Sequence, residues 1–144
     1  MAPIKLRQLL ANIPHVDVRG NKDVVVLGVA NHSQAVGPGS IFIAKRGRVF
    51  DANAFVPEAI RAGAVCIVSD TYDPSLKGIT QIITPHIEQI EAALAHAFWG
   101  NPTQDLSVIG ITGTSGKTTT SYLLRHIFER AGIPCGLIGT IEYA

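Results

Sequence analysis

The spacing of apolar positions along this chain switches repeatedly between the helical and the extended period. Leu6, Leu9, Leu10 and Ile13 recur at spacings of three and four, which predicts a short amphipathic helix over Ile4 to Ile13 stopped by Pro14. Asp23 to Ala30 (DVVVLGVA) is a β-branched run that predicts a buried strand, and Ile41 to Ala44 (IFIA) predicts a second. Gly37-Pro38-Gly39 marks a turn before that second strand, and Lys45 to Asn53 reads as a polar loop after it. A helix is expected over Ala54 to Ala62, with Pro57 tolerated in its first turn and Gly63 as its stop. Ala64 to Ser69 (AVCIVS) and Gln81 to Thr84 (QIIT) predict further strands. Thr84-Pro85 opens a helix to Trp99 in which Ile87, Ile90, Leu94 and Phe98 form one stripe.

A linker-like stretch, Gly100 to Asp105 (GNPTQD), interrupts this pattern. Beyond it a strand is expected over Leu106 to Thr112 and a helix over Lys117 to Ala131, in which Leu124, Ile127, Phe128 and Ala131 share a face. Gly132-Ile133-Pro134 then stops the helix and Cys135 to Thr140 forms another strand. Arg125, His126 and Arg130 suit the C-terminal end of the helix dipole. The fold class expected is therefore α/β, with a domain over 1–103 and the first βαβ unit of a second, parallel-sheet domain over 104–144. A lone βαβ unit cannot cover both faces of its sheet, so this second domain is expected to be incomplete.

Composition narrows the function classes. The chain has 144 residues, 47% hydrophobic, with 2 Cys and a net charge of +1. The apolar content excludes intrinsic disorder, and two cysteines exclude a disulfide scaffold. The near-zero charge argues against nucleic acid as a partner. No apolar run reaches the ~18–20 residues of a membrane span, so no membrane insertion is expected. The start, MAPIKLRQLLANIP, has no long apolar core of a signal peptide, so a cytoplasmic location is expected. The five histidines show no HxxxH or HxH spacing that would suggest a metal site. Cys66 and Cys135 read as small buried hydrophobes, and Trp99 as a helix-end aromatic of the core or domain junction.

The chemistry concentrates in Thr112-Gly113-Thr114-Ser115-Gly116-Lys117-Thr118-Thr119, between an expected strand and a helix N-terminus. Glycines there let backbone N–H groups converge on phosphate oxygens, and the helix dipole favours negative charge. Lys117 would carry positive charge to the β- and γ-phosphates, and the Thr118 hydroxyl would ligate Mg²⁺. The longer spacing G-x-x-x-x-G-K-[ST] is not met, because Ile111 stands where it needs glycine. The shorter G-T-x-G-K-T is met. A glycine-rich turn that merely caps a helix is the competing reading. The Lys-Thr pair, the apolar run before it and the amphipathic helix after it favour a nucleotide.

This loop, following Gly110-Ile111-Thr112, resembles the ATP loop of the Mur ligase superfamily. The resemblance extends upstream through Pro38-Gly39-Ser40-Ile41-Phe42-Ile43-Ala44-Lys45-Arg46-Gly47, Asp51 and Ala59-Ile60-Arg61-Ala62-Gly63-Ala64. These segments are similar to the UDP-binding domain of the two members that add the third residue and the terminal dipeptide to the peptidoglycan precursor. Phe98, Asn101-Pro102-Thr103, Thr114 and Gly136-Leu137-Ile138-Gly139-Thr140 match the first of these better.

The resemblance implies an ATP-dependent, Mg²⁺-requiring amide ligase acting on UDP-N-acetylmuramoyl-L-alanyl-D-glutamate and a diamino acid, meso-diaminopimelate or L-lysine. It implies nucleotide contacts from Gly113, Thr114, Ser115, Gly116, Lys117, Thr118 and Thr119, with Lys117 catalytic and Thr118 on the metal. For the nucleotide sugar it implies Ser33 and Arg48. The family's further Mg²⁺ ligands and its amino-acid-selecting domain would lie beyond Ala144, so this chain is not expected to complete the reaction alone. The alternatives are a non-catalytic module for the UDP-muramoyl peptide, the dipeptide-adding member, or a small kinase. The family's Asp-Ser-Arg reads His32-Ser33-Gln34 here, and Asp51-Ala52 stands where the family has Asp-Gly. Ser115 replaces the commoner Asn. Lys45, Arg46 and Arg48 form a basic patch, read either as a solvated loop or as lying where the resemblance expects the diphosphate.

Overall fold

The computed structural model describes residues 3–13, 16–47 and 51–140. It divides into two compact units, Met1–Asp105 and Leu106–Ala144.

The first unit opens with β1 (Ile4–Lys5), α1 (Leu6–Leu9) and a 3-10 turn (Leu10–Asn12), close to the helix expected there. The expected strand 23–30 is split. Its first part, β3 (Val25–Val26), pairs antiparallel with β1, and its second, β4 (Gly28–Ala30), joins the main sheet. The switch falls at Leu27, whose N–H donates to the Gly39 carbonyl at 2.9 Å. Val25 and Leu27 therefore stay 44% and 56% exposed, so the run is buried only in part, at Val26 and Ala30. The strand β2 (Asp17–Arg19) has no apolar signature and was not anticipated; it forms because it pairs antiparallel with the far edge of the main sheet.

That sheet has five strands in the order β2-β7-β6-β5-β4, with β5 (Ser40–Ile43), β6 (Cys66–Ser69) and β7 (Thr80–Ile83) near their expected places. Strands β4 to β7 run parallel. Their continuous apolar runs follow from burial on both faces. Ile41, Ile43, Cys66, Val68 and Ile82 pack toward Leu6 and Leu9 and toward Ile87, Ile90, Leu94 and Phe98 of α3 (Ile87–Phe98). Phe42, Ala44 and Ile67 pack with Val56 and Ala59 of α2 (Val56–Arg61), which connects β5 to β6.

Both helices end on glycine. After α2, Gly63 sits at φ +103° with its N–H on the Ile60 carbonyl and the next N–H, of Ala64, on the Ala59 carbonyl. After α3, Gly100 (φ +78°) and Asn101 repeat the arrangement on Ala97 and His96. This pair of bonds satisfies the last helical carbonyls and needs the left-handed conformation that glycine adopts freely. Trp99 beside it ends α3 and is 64% exposed, which removes the core half of the expectation of a core or domain-junction aromatic; it meets the Phe98 ring edge-on at 5.5 Å.

The second unit contains α4 (Lys117–Arg130), closed by Gly132 at φ +74° in the same way, with Arg125 paired to Glu129 at 2.8 Å. The strands expected over 106–112 and 135–140 are not formed among the described residues. A parallel strand takes its hydrogen bonds from neighbouring strands, and none of the described residues of this unit supplies a ladder. Accordingly Leu106, Val108, Ile109 and Ile138 are exposed. On α4, Leu124 and Phe128 are half-buried, whereas Ile127 and Ala131 are exposed. The α/β class holds for the chain, but of the βαβ unit expected over 104–144 only the helix forms among the described residues.

Gly63 is the tightest backbone position in the first unit. A Cβ there would lie 2.7 Å from the Pro38 Cα. Gly63→Ala is expected to destabilise the unit by about 1–3 kcal/mol. Gly37→Ala, with open space and an ordinary backbone, should change little. Urea unfolding midpoints of the two variants measure the difference.

Candidate functional site

The residues singled out by the sequence fall in two places, one in each unit. In the second unit, Gly116 takes the left-handed conformation (φ 76°, ψ −3°) and sits at the N-cap of α4 with no side chain to cap it. The first intrahelical bond is Thr120 N–H to the Gly116 carbonyl at 2.9 Å, so the N–H groups of Lys117, Thr118 and Thr119 precede the helical ladder. No acidic residue occupies the first turn, and residues 112–120 are all exposed. The positive end of the helix dipole and its free donors thus face solvent, the physical requirement for holding an anion.

Lys117 folds back so that its ammonium donates to the Gly113 carbonyl at 2.5 Å, laying the charge across the loop that contains Thr114 and Ser115. The Thr120 and Ser121 hydroxyls turn back onto the carbonyls of Gly116 and Thr118, at 2.9 and 2.7 Å. Among the described residues the Thr118 and Thr119 hydroxyls have no such partner. A hard cation and a polyphosphate suit this donor set, a free hydroxyl beside convergent N–H groups and one ammonium.

In the first unit, the carboxyl ends of β4, β5 and β6 lie along one edge, the usual place for ligands in a parallel sheet. Ser33 is there, 8% exposed, opening a 3-10 turn (Ser33–Ala35) after β4. His32 caps that turn, its Nδ1 accepting from the Gln34 N–H at 3.3 Å. An imidazole nitrogen thus does what an aspartate side chain commonly does at an N-cap. Arg48 lies outside the described residues.

Of the three cations after β5, the two described ones, Lys45 and Arg46, are ion-paired. Lys45 pairs with Glu91 of α3 at 3.3 Å, and Arg46 pairs with Asp51 at 3.4 Å and Asp70 at 4.0 Å. Asp51 accepts from the backbone and side chain of Asn53, and these bonds, with Arg46 alongside, hold its carboxyl below the usual range. A depressed carboxyl pKa adds stability above its unfolded value, and that stability is lost as pH falls through the lowered value. Asn31, Asp70 and Glu91 were not anticipated. One signal for Glu91 was available: it lies four residues after Ile87 and three before Leu94, a carboxylate within an apolar stripe.

Residues 111–144 match the family model of the Mur ligase middle domain. Across 138 residues the chain is 44% identical to UDP-N-acetylmuramoyl-L-alanyl-D-glutamate--2,6-diaminopimelate ligase of Chlamydia trachomatis, covering 96% of this chain and 28% of the relative. Nearly the whole chain is thus similar to the opening part of a Mur ligase. It spans a little over a quarter of the length of the curated relatives it matches. The solved structure of a UDP-N-acetylmuramoyl-L-alanyl-D-glutamate--2,6-diaminopimelate ligase aligns with 99% of this chain and 29% of its own, at a TM-score of 0.74 and 21% identity. MurF from Acinetobacter baumannii aligns with 90% of this chain and 28% of its own, at 0.64 and 24%. At these identities the likeness is one of fold.

The two thiols differ. Cys66 is fully buried in β6, and burial pushes its pKa far up, whereas Cys135 is partly exposed rather than buried as expected. A thiolate-selective reagent should therefore label Cys135 in the native chain and Cys66 only after denaturant is added. Mass spectrometry of the labelled peptides reads this directly.

Proposed function

We propose that this chain is the N-terminal part of a ligase that joins diaminopimelate to UDP-N-acetylmuramoyl-L-alanyl-D-glutamate at the expense of ATP, in the cytoplasm. The observation that carries the reading is the exposed, uncapped N-terminus of α4 with the Lys117 ammonium laid across its loop. The 44% identity to a diaminopimelate ligase supports this reading of the reaction.

In this reading the N–H groups of Gly113 to Thr119 hold the phosphates of ATP, and Lys117 neutralises charge on the β- and γ-phosphoryl oxygens. Thr118 would hold Mg²⁺, which would supply further neutralisation of the phosphate oxygens. The γ-phosphoryl group passes to a carboxylate of the nucleotide-sugar peptide, giving an acyl phosphate and ADP. The amine of the diamino acid then attacks the acyl carbon, phosphate leaves, and an amide forms. The residues 1–103 form the domain that holds the nucleotide sugar, through Ser33 and Arg48, and 104–144 begin the ATP-binding domain. Phosphoryl transfer of this kind is mostly positioning and charge neutralisation, which is why a loop of backbone donors and one lysine suffices for its first contacts.

The two ligands engage different units, so they should respond separately to substitution. Lys117→Ala is expected to weaken ATP binding by about tenfold or more, the loss of a charge-assisted contact, and to leave UDP-N-acetylmuramoyl-L-alanyl-D-glutamate binding unchanged. Calorimetric titration of each ligand into the 144-residue chain checks this. Equal loss of both ligands would overturn the assignment.

A further inference from the structure

Glu91 stands apart from the other acidic residues at the carboxyl edge of the sheet. Its Oε1 accepts from Asn31 Nδ2 at 2.9 Å, and its Oε2 from Lys45 Nζ at 3.3 Å. Asn31 directly follows β4 and Lys45 lies just beyond β5, so one carboxylate on the covering helix gathers the ends of two adjacent strands. The Glu91 side chain is mostly buried, while Lys45 keeps 41% of its side-chain surface open. Arg46 differs, since its partners Asp51 and Asp70 and its own guanidinium are more open to water. The Glu91 carboxylate is thus engaged at both oxygens, one by each strand end. It fixes the position of the ammonium it holds. With its lysine this open to water the ion pair adds little to stability, so stability alone does not account for the arrangement.

We infer that Glu91 is a positioning residue that holds the Lys45 ammonium at the carboxyl edge of the sheet, where Lys45 donates its remaining N–H groups to the diphosphate of the nucleotide sugar. This rests on the UDP-sugar reading of the first unit. An ammonium has three donors, and the carboxylate takes one. Because the fixed carboxylate cancels the lysine's charge at a distance, the contact acts by short-range hydrogen bonding and not through a broad positive field.

The test is calorimetric titration of UDP-N-acetylmuramoyl-L-alanyl-D-glutamate into the 144-residue chain and into Lys45→Met, Glu91→Gln and the double variant. Lys45→Met is expected to weaken binding about tenfold and Glu91→Gln about threefold. In the Lys45→Met background, Glu91→Gln should have no further effect, because it acts through the lysine; a merely structural role would cost the same in both backgrounds. Independently of any variant, the ligand should protect Lys45 from acetylation by a small amine-reactive ester, read by mass spectrometry. Tighter binding in Glu91→Gln, an undiminished loss in the double variant, or no protection of Lys45 would each overturn the inference while leaving the functional reading in place. If the unaltered chain binds no UDP-sugar at all, both fall together.

Discussion

The parallel strands β5 to β7 are buried on both faces, and the first unit is organised around covering them. Ile41 and Ile43 face α1 and α3, while Phe42 and Ala44 face α2. Two-sided burial demands a helix on each side, and parallel pairing demands a crossover between β5 and β6 that α2 provides. The same ladder brings the residues after each strand to a common edge. Asn31, Ser33, Lys45, Arg46 and Asp70 owe their proximity to the hydrogen-bond register of Val29 with Ile41 and of Ile41 with Cys66, although most are far apart in the chain.

The two candidate sites use different chemistry for charged ligands. At the N-terminus of α4 the donors are backbone N–H groups, whose placement needs only a left-handed glycine and a helix, plus the Lys117 side chain. At the sheet edge the donors are side chains already engaged with carboxylates. A backbone cradle reads as a compact motif, because adjacent residues build it. A side-chain edge is assembled from positions sixty residues apart, such as Asn31 and Glu91.

That contrast explains which parts of the molecule were legible in the sequence. Strands β5, β6 and β7 announced themselves as continuous apolar runs, and Gly63 and Gly132 marked helix ends because no other residue takes their conformation as easily. The phosphate loop was readable for the same local reason. Strand β2 was not, since Asp17 and Arg19 are charged and the segment is extended only because β7 offers it a partner. The break at Leu27 was hidden because nothing in a β-branched run tells which of two sheets each half joins. The strands expected in the second unit had the composition of strands but, among the described residues, no ladder to enter. Lys45 looked like a loop cation until Glu91, on a helix more than forty residues away, was found to hold it.

Gly63 ties together two lengths that could otherwise vary independently. Its carbonyl accepts the Gly39 N–H at 2.8 Å, and its missing Cβ leaves room for Pro38. The end of α2 and the start of β5 are therefore one joint, with no side chain in it to soften the fit. A residue inserted into α2 would rotate the helix end away from the turn that starts the strand, and the strand would have to slide to follow it. Sliding by one position would exchange the apolar faces on which α2 and α3 pack. Length variation in this unit is consequently confined to segments that do not run through this joint, such as the connection between β6 and β7.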